Sequence, residues 1–82
     1  SNYPNPFNPS TTIVFTVSHS SDVMLSIYDI DGRFISILYN AYTIPGTYDA
    51  IWNGQYEASG VYFYKLNVGS YYKEIGKMVL MK

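Results

Sequence analysis

The sequence predicts an all-β fold, in which two antiparallel sheets pack face to face and contain about seven strands. Apolar and polar residues alternate in several short runs along the 82 residues, and turn-forming residues separate these runs. No stretch of the sequence shows helical periodicity over three turns. Ten tyrosines and many β-branched residues suit the pleated surface of a thin two-layer structure. Because the predicted strands and their connections are short, we expect an immunoglobulin-like antiparallel β-sandwich.

The composition excludes several classes of function. Charged residues make up 13% of the chain and the net charge is −1, which is far from the clustered lysine and arginine of a nucleic-acid-binding protein. The sequence contains no cysteine, so it offers neither a disulfide nor a thiolate metal site. No apolar run approaches the roughly 20 residues of a transmembrane segment. The low net charge leaves little repulsion between copies, and self-association through edge strands is therefore an alternative.

Residues 1–11 are predicted to form a Pro/Asn-rich extended lead-in, which is followed by a single sandwich domain over residues 12–82. Each proline fixes φ and pushes the preceding residue toward an extended conformation. Two aromatic residues, Tyr3 and Phe7, lie among these prolines. We therefore expect both rings to dock onto the domain, with a seventh extended piece within residues 3–9.

The rest of the sequence contains six predicted strands. The clearest covers residues 59–68, which are apolar at the even positions from 62 onward and half apolar at the odd positions. A strand with two largely apolar faces is expected at the centre of a sheet. A loop over 40–46 that ends in Pro45-Gly46 and an irregular crossover over 55–59 separate other strands. Those strands are predicted at residues 12–17, 23–29, 33–39, 47–52 and 71–81.

The turn around Asp31-Gly32 decides the register of one hairpin. A two-residue turn would place Ile27 opposite Ser36, whereas a three-residue loop over 30–32 would place Gly32 in the left-handed conformation. The three-residue loop keeps the apolar residues on one face, and a slip of one residue would move every side chain to the other face. We therefore predict this loop, with Ile27 opposite Ile35, Leu25 opposite Ile37, and Asp29 opposite Arg33.

No cluster of residues has the composition of a catalytic or metal site. The single histidine, His19, lies in a turn with Ser18 and Asp22, but members of a catalytic triad come from separate elements and require an oxyanion site. The segment Asp29-Ile30-Asp31-Gly32 resembles the beginning of a calcium loop, yet the later oxygen ligands and the closing glutamate are missing. The sequence therefore favours a protein that is not an enzyme and that needs no cofactor.

Carbohydrate binding is an alternative, because sugar-binding modules expose aromatic rings on a sheet face or in loops. Tyrosines on the face of a sheet are more often structural, so this alternative ranks below a structural role. The tyrosines that could serve are Tyr39, Tyr42, Tyr56, Tyr71 and Tyr72.

Several segments together carry a family pattern. The first is Asn2-Tyr3-Pro4-Asn5-Pro6-Phe7-Asn8-Pro9-Ser10-Thr11-Thr12-Ile13, and the second is Tyr28-Asp29-x-x-Gly32-Arg33. The third joins Trp52-Asn53-Gly54 to Ala58-Ser59-Gly60-Val61-Tyr62-Phe63-Tyr64-Lys65-Leu66, and the last is Lys77-Met78-Val79-Leu80-Met81-Lys82. In this order and spacing they resemble the type IX secretion system C-terminal sorting domain (type A) of the Bacteroidetes and related phyla. The resemblance covers essentially the whole chain.

The resemblance implies a non-catalytic domain at the C-terminus of a larger exported protein, whose upstream cargo domain it carries to the cell surface or medium. Such a domain passes through the periplasm and is recognised by the outer-membrane translocon. A sortase-like peptidase commonly removes it and attaches the cargo to lipopolysaccharide. We expect the translocon to add a strand to the last strand of the domain, at Lys77, Met78, Val79, Leu80, Met81 and Lys82. The residues expected to carry the structural motif are Gly32, Arg33, Trp52, Gly54, Gly60 and Tyr62.

The main alternative is an immunoglobulin-like assembly or adhesion module that stays in the mature protein. The Tyr-Asp-x-x-Gly-Arg and Gly-x-Tyr patterns also resemble the β-domain of flagellar hook-capping proteins, and low net charge favours polymerising contacts. A sorting domain ends the reading frame at Lys82, whereas an assembly module can be followed by further chain. The upstream and downstream sequence would therefore distinguish the two.

Overall fold

The structure is a computed structural model that describes residues 1–6 and 9–82. Within these residues the chain forms β-strands and no helix, which confirms the predicted all-β fold. The expected docking of Phe7 lies outside the described residues. The strands are β1 (Asn2–Tyr3), β2 (Ser10–Val17), β3 (Ser21–Asp29), β4 (Phe34–Thr43), β5 (Gly46–Asn53), β6 (Gly60–Val68) and β7 (Tyr72–Leu80).

The strands form two antiparallel sheets, one in the order β1-β2-β5 and the other in the order β4-β3-β6-β7. β6 lies between β3 and β7, so the prediction that this strand is central is confirmed. β2 pairs with β5, and β3 pairs with β6, as in an immunoglobulin-like sandwich. β4 pairs with β3 and so belongs to the four-stranded sheet. β4 and β7 are the outer strands of the four-stranded sheet.

The core lies between the two sheets, because alternate residues of each strand point inward. In β2, Ile13, Phe15 and Val17 are buried, as the alternation of the sequence predicts. The even positions of β6 from Tyr62 to Val68 are buried in the same way. Full burial of an apolar side chain of this size contributes about 1.5–3 kcal/mol to stability. The remaining buried apolar residues are Val23, Leu25, Ile27, Trp52, Met78 and Leu80.

The turn between β3 and β4 has the predicted three-residue loop. Gly32 adopts a φ of 82°, which is the left-handed conformation that favours glycine. The Asp29 N–H donates to the Arg33 carbonyl at 2.9 Å, so these two residues lie opposite each other as predicted. The Asp29 carboxylate accepts the N–H groups of Asp31 and Arg33, both at 2.9 Å. These hydrogen bonds give the Asp29 carboxylate a role in the turn.

Beyond the turn, the predicted pairs of Ile27 with Ile35 and of Leu25 with Ile37 are wrong. The register of β4 shifts by one residue at each of two β-bulges, where Ile35 and Leu38 are the extra residues. Ile35 has an odd number and Leu38 an even number, so a regular strand would point their side chains to opposite faces of the sheet. Because of the bulges, both side chains pack against the core. The observed partners are Tyr28 and Phe34, Ile27 and Ser36, Ser26 and Ile37, and Leu25 and Tyr39.

β4 extends to Thr43, so the prediction of a loop over residues 40–46 is wrong for its first four residues. Thr43 lies opposite Ser21 and continues the ladder with β3. Its buried hydroxyl hydrogen-bonds the Tyr39 hydroxyl at 2.7 Å and donates to the Ala41 carbonyl at 3.0 Å. These contacts stabilise an extended strand where the sequence offered only weak alternation.

The lead-in contacts the sandwich mainly through backbone and asparagine groups. β1 pairs with β2 over two residues, so the extended piece begins one residue before the predicted range of 3–9. The Asn2 side chain donates to Thr11 Oγ1 at 3.0 Å. Tyr3 is 58% exposed. Its ring therefore buries little surface against the domain, in contrast to the predicted docking.

Candidate functional site

β7 is an outer strand, and within the described residues it pairs with β6 alone. The inward positions of its second half hold Met78 and Leu80, whose side chains are 0% and 1% exposed. Val79 is half-buried, and Lys77, Met81 and Lys82 are exposed. The side chains of Met78 and Leu80 are therefore out of reach of a partner that binds the folded domain.

The side chain of Asn5 covers part of the β7 edge. Its Nδ2 donates to the Lys77 carbonyl at 3.2 Å, and its Oδ1 accepts the Val79 N–H at 2.9 Å. One residue of a parallel neighbouring strand would make the same two hydrogen bonds, one on each side of Met78. The Asn5 amide thus takes the place of a single strand residue and satisfies two backbone groups that the sheet leaves unpaired.

These hydrogen bonds also establish which backbone groups of β7 point outward. The N–H and C=O of one strand residue point to the same side, and successive residues alternate. Because Lys77 and Val79 bind Asn5, the odd-numbered residues of β7 face away from β6. Lys73 and Ile75 therefore also present their backbone groups along this edge, beyond the part that Asn5 covers. Together these positions make β7 a half-covered edge strand.

The last residue is held against the crossover that connects β5 and β6. The Lys82 N–H donates to Ser59 Oγ at 3.1 Å, and the Lys82 ammonium donates to the Gln55 carbonyl. Both contacts are exposed, and each joins the chain end to a segment more than twenty residues earlier. Lys82 therefore has a defined position in the fold.

The residues expected to carry the structural motif lie at one end of the sandwich. The Trp52 and Tyr62 rings lie 5.1 Å apart between centroids. Gly54 fits closely here, because a Cβ on it would lie 3.1 Å from Leu80 Cδ2 and 3.4 Å from Trp52 Cη2. The Gly54 N–H donates to the Pro9 carbonyl at 2.8 Å. Gly60 begins β6 opposite Leu80, and the Gly32-Arg33 turn follows Asp29, which lies opposite Tyr62.

Tyr62 anchors the start of β6. Its hydroxyl donates to the Ala58 carbonyl at 2.6 Å, as in the tyrosine corner of immunoglobulin-like domains, where a tyrosine near the start of the sixth strand bonds the backbone a few residues earlier. Burial, followed by the charges of Glu57 and Asp29, raises the pKa of Tyr62 and keeps its hydroxyl protonated. This contact was not predicted, although a tyrosine placed four residues after Ala58, at the start of a predicted strand, was a signal for it.

The outer face of the four-stranded sheet combines lysines with apolar side chains. Odd-numbered residues of β6 and β7 point to this face, where Lys65 lies opposite Ile75 and Lys77 lies opposite Phe63. The Lys65 ammonium lies 5.7 Å from the centroid of the Tyr28 ring. A cavity of about 280 Å³ opens on this face, and its lining residues are Tyr28, Gly32, Phe63, Tyr64, Lys65 and Ile75. This surface could not be predicted from the sequence, because the neighbours of each lysine depend on the register of β6 and β7.

The other candidate sites of the sequence do not assemble. His19 contacts the Ser18 hydroxyl at 3.1 Å and the edge of Tyr71. Across residues 1–6 and 9–82, no group of three or more histidine, aspartate or glutamate side chains is placed to hold a metal ion. The tyrosines considered for sugar binding are spread over separate elements, and the Tyr39 ring packs against Phe15 at 5.5 Å instead of facing solvent.

The part of the chain that the structure describes contains no helix of the length and apolarity needed to cross a membrane.

Comparison with known proteins identifies the family. The family described as the secretion system C-terminal sorting domain matches residues 1–81. Comparisons with curated proteins and with solved structures give no match. Because the match spans nearly the whole chain and the fold is the expected β-sandwich, the chain belongs to the family of type IX secretion C-terminal sorting domains.

Proposed function

We propose that this domain is a non-catalytic signal that directs a larger exported protein through the type IX secretion system to the cell surface or medium. The family supports a sorting role and export. The proposed route leads through the periplasm to an outer-membrane translocon, and a sortase-like peptidase then acts on the translocated protein. The proposed recognition residues are Lys77, Met78, Val79, Leu80, Met81 and Lys82.

The observation that carries this proposal is the position of β7 at the edge of the four-stranded sheet. Met78 and Leu80 hold the strand in the core, so its register on β6 is well defined. The outward backbone groups and the exposed lysines then form a rigid surface that a receptor can bind by strand addition. Lys77 and Lys82 also oppose indiscriminate pairing of this edge with other strands.

A secretion assay tests the proposal. Residues 1–82 are fused behind a reporter that carries a periplasmic export signal, and the reporter is measured in the periplasm, at the surface and in the medium of a host with a type IX system. We expect the fusion to leave the periplasm. A reporter that remains in the periplasm with the folded domain attached would refute the sorting role.

A backbone-specific variant tests the proposed recognition edge. Lys77→Pro removes one outward N–H without touching the ladder to β6, and proline is tolerated on edge strands. The preceding Gly76 has no Cβ to clash with the proline ring. We expect Lys77→Pro to keep its thermal unfolding midpoint within a few degrees and to lose most export.

The matched control is Lys77→Thr, which removes the charge and retains the N–H. We expect this control to be exported more efficiently than Lys77→Pro. Equal export of the proline variant and the wild-type fusion would exclude strand addition at this position. Deletion of residues 77–82 is a weaker test, because it also removes the buried Met78 and Leu80.

A further inference from the structure

Three lysines on the outer face of the four-stranded sheet have no acidic partner. Lys65, Lys73 and Lys77 project from β6 and β7, and none of them forms an ion pair within the described residues. Their cross-strand neighbours are Ile75, Asn67 and Phe63, respectively. The β6–β7 part of this face therefore carries three positive charges that form no ion pair, although the whole chain has a net charge of −1.

Two of these lysines stand directly at the half-covered edge of β7. Lys73, Ile75 and Lys77 share the outer face of the strand, because their neighbours Glu74 and Gly76 point to the other side. The rise per strand residue is about 3.3 Å, so the two lysines are about 13 Å apart along the edge with an exposed isoleucine between them. Their outward backbone groups, other than the Lys77 carbonyl that Asn5 binds, are available to a neighbouring strand.

We infer that the edge from Lys73 to Lys77 binds an extended acidic segment of the recognising partner, with two carboxylates four residues apart and an apolar residue midway between them. Such a segment would pair its backbone with β7 and place its carboxylates beside Lys73 and Lys77. Its apolar residue would then lie beside Ile75, at the mouth of the cavity lined by Phe63 and Lys65. The inference rests on the proposed function, because the acidic segment is taken to belong to the receptor that reads the signal.

A second copy of the chain fits this edge less well. In the two-fold pairing centred on Ile75, Lys73 of one copy lies opposite Lys77 of the other. In the pairing centred on Lys77, the two copies of this lysine face each other. Like charges directly opposite each other destabilise a strand pair, whereas opposite charges stabilise it by about 0.2–1 kcal/mol. Charge complementarity therefore favours an acidic strand over self-association.

Two end-blocked synthetic peptides test the inference on the isolated domain of residues 1–82. The first has the sequence Thr-Glu-Thr-Val-Thr-Glu-Thr, and the second has lysine in place of both glutamates. Binding is followed through the backbone amide shifts of the labelled protein. We expect the acidic peptide to shift the amides of Lys73, Ile75 and Lys77 and to bind on the order of ten times more tightly than the basic peptide at low salt.

Charge reversal provides the matched variant. Lys73→Glu combined with Lys77→Glu should invert the preference between the two peptides, whereas Tyr56→Glu, at an exposed position outside β7, should leave it unchanged. Unaltered thermal unfolding of the variants would show that the fold is retained. Equal binding of both peptides, or amide shifts centred elsewhere, would overturn the inference. Concentration-dependent shifts without peptide would favour a second copy, and tighter binding to anionic phosphatidylglycerol vesicles would assign the face to a membrane.

The secretion assay separates this inference from the proposed function. If the wild-type fusion and the charge-reversed fusion are exported equally, the acidic receptor segment is excluded and the sorting role stands. If the wild-type fusion stays in the periplasm, the sorting role fails whatever the peptides show. Loss of export on charge reversal, together with inverted peptide preference, would support both.

Discussion

Gly76 lies opposite Tyr64 in the ladder between β6 and β7, and the Tyr64 ring covers it. A Cβ at Gly76 would overlap this ring. The ring has little freedom to move, because it is 4% exposed and its hydroxyl donates to Glu74 Oε2 at 2.7 Å. Glycine at this position therefore provides room for the aromatic side chain, which in turn covers backbone that glycine would leave exposed.

We predict that Gly76→Ala lowers the free energy of unfolding by about 1–3 kcal/mol, the usual cost of overpacking a filled site. Urea denaturation monitored by Trp52 fluorescence would measure this loss. In a Tyr64→Leu background the added methyl group has space, so the cost of Gly76→Ala should shrink. An equal cost in both backgrounds would show that the ring is not the cause.

Tyr64 also makes the stability of the fold sensitive to alkaline pH. Burial, then the hydrogen bond to Glu74 and its charge, raises the pKa of Tyr64 well above its ordinary value of 10.0. The folded state therefore holds this proton at a pH where the unfolded chain releases it. The contribution is fully present below about pH 10 and is lost as the pH rises toward the pKa of the folded state.

We predict that Tyr64→Phe removes a late step from the tyrosinate absorbance titration and weakens the loss of stability above about pH 10. The control is Tyr56→Phe, since Tyr56 is 89% exposed and lies outside the core. If Tyr64→Phe leaves the late part of the titration and the alkaline loss of stability unchanged, the assigned environment of Tyr64 is wrong.

At the scale of elements, Asn5 and β7 form a contact between segments 72 and 74 residues apart in sequence. The amide gives the outer strand two hydrogen bonds on the side away from β6. Each hydrogen bond contributes about 0.5–1.5 kcal/mol when both partners are well placed. The lead-in therefore stabilises the last strand directly, in addition to its short pairing with β2.

We predict that Asn5→Ala increases the hydrogen-exchange rate of the Val79 amide, because that amide loses its acceptor. The amide of Met78 points toward β6 and should keep its protection. The free energy of unfolding should fall by about 1 kcal/mol. Asn40→Ala, in the exposed part of β4, is the matched control and should leave Val79 unchanged. Unaltered exchange at Val79 in the Asn5 variant would contradict the assigned hydrogen bond.

The sequence predicted elements best where alternation is strict. The buried residues of β2, Ile13, Phe15 and Val17, follow directly from period-two patterning. The loop at Gly32 also followed, because a left-handed residue has a recognisable turn signature. The register of β4 could not be predicted, since Ile35 and Leu38 reach the core only through bulges, which depend on packing against β3 rather than on local pattern.

The candidate site was predictable only in part, for the same reason. The apolar run ending in Lys82 indicated a final strand, and its position at a sheet edge agrees with the expectation that motivated strand addition. The contact of Asn5 with Lys77 has no local signal, because it joins distant segments through a polar side chain. Ile75 lies opposite Lys65 and between Lys73 and Lys77 on the outer face, and this arrangement likewise could be recognised only from the observed register.

At the scale of the whole molecule, the last strand is part of the only core between the two sheets in the described residues. A domain of this length is stabilised by roughly 4–12 kcal/mol in total. Met78 and Leu80 are both fully buried, and loss of one large apolar core side chain typically costs about 2–5 kcal/mol. The strand proposed for recognition is thus also part of the hydrophobic core.

We predict that deletion of residues 77–82 unfolds the domain, since the two core side chains together account for most of its stability. Deletion of Met81 and Lys82 alone removes exposed side chains and should leave the domain folded. Circular dichroism and thermal unfolding of the two truncated proteins would measure this difference. A cooperative transition in the longer deletion would contradict the assigned role of Met78 and Leu80.

The Asn5 contact has a mechanical consequence. Tension applied to the chain before Pro4 reaches the final strand through one carboxamide, at Lys77 and Val79, as well as through β2. A load applied on the N-terminal side of Pro4 would therefore release two backbone groups of β7 while the buried side chains of Met78 and Leu80 still hold that strand in the core.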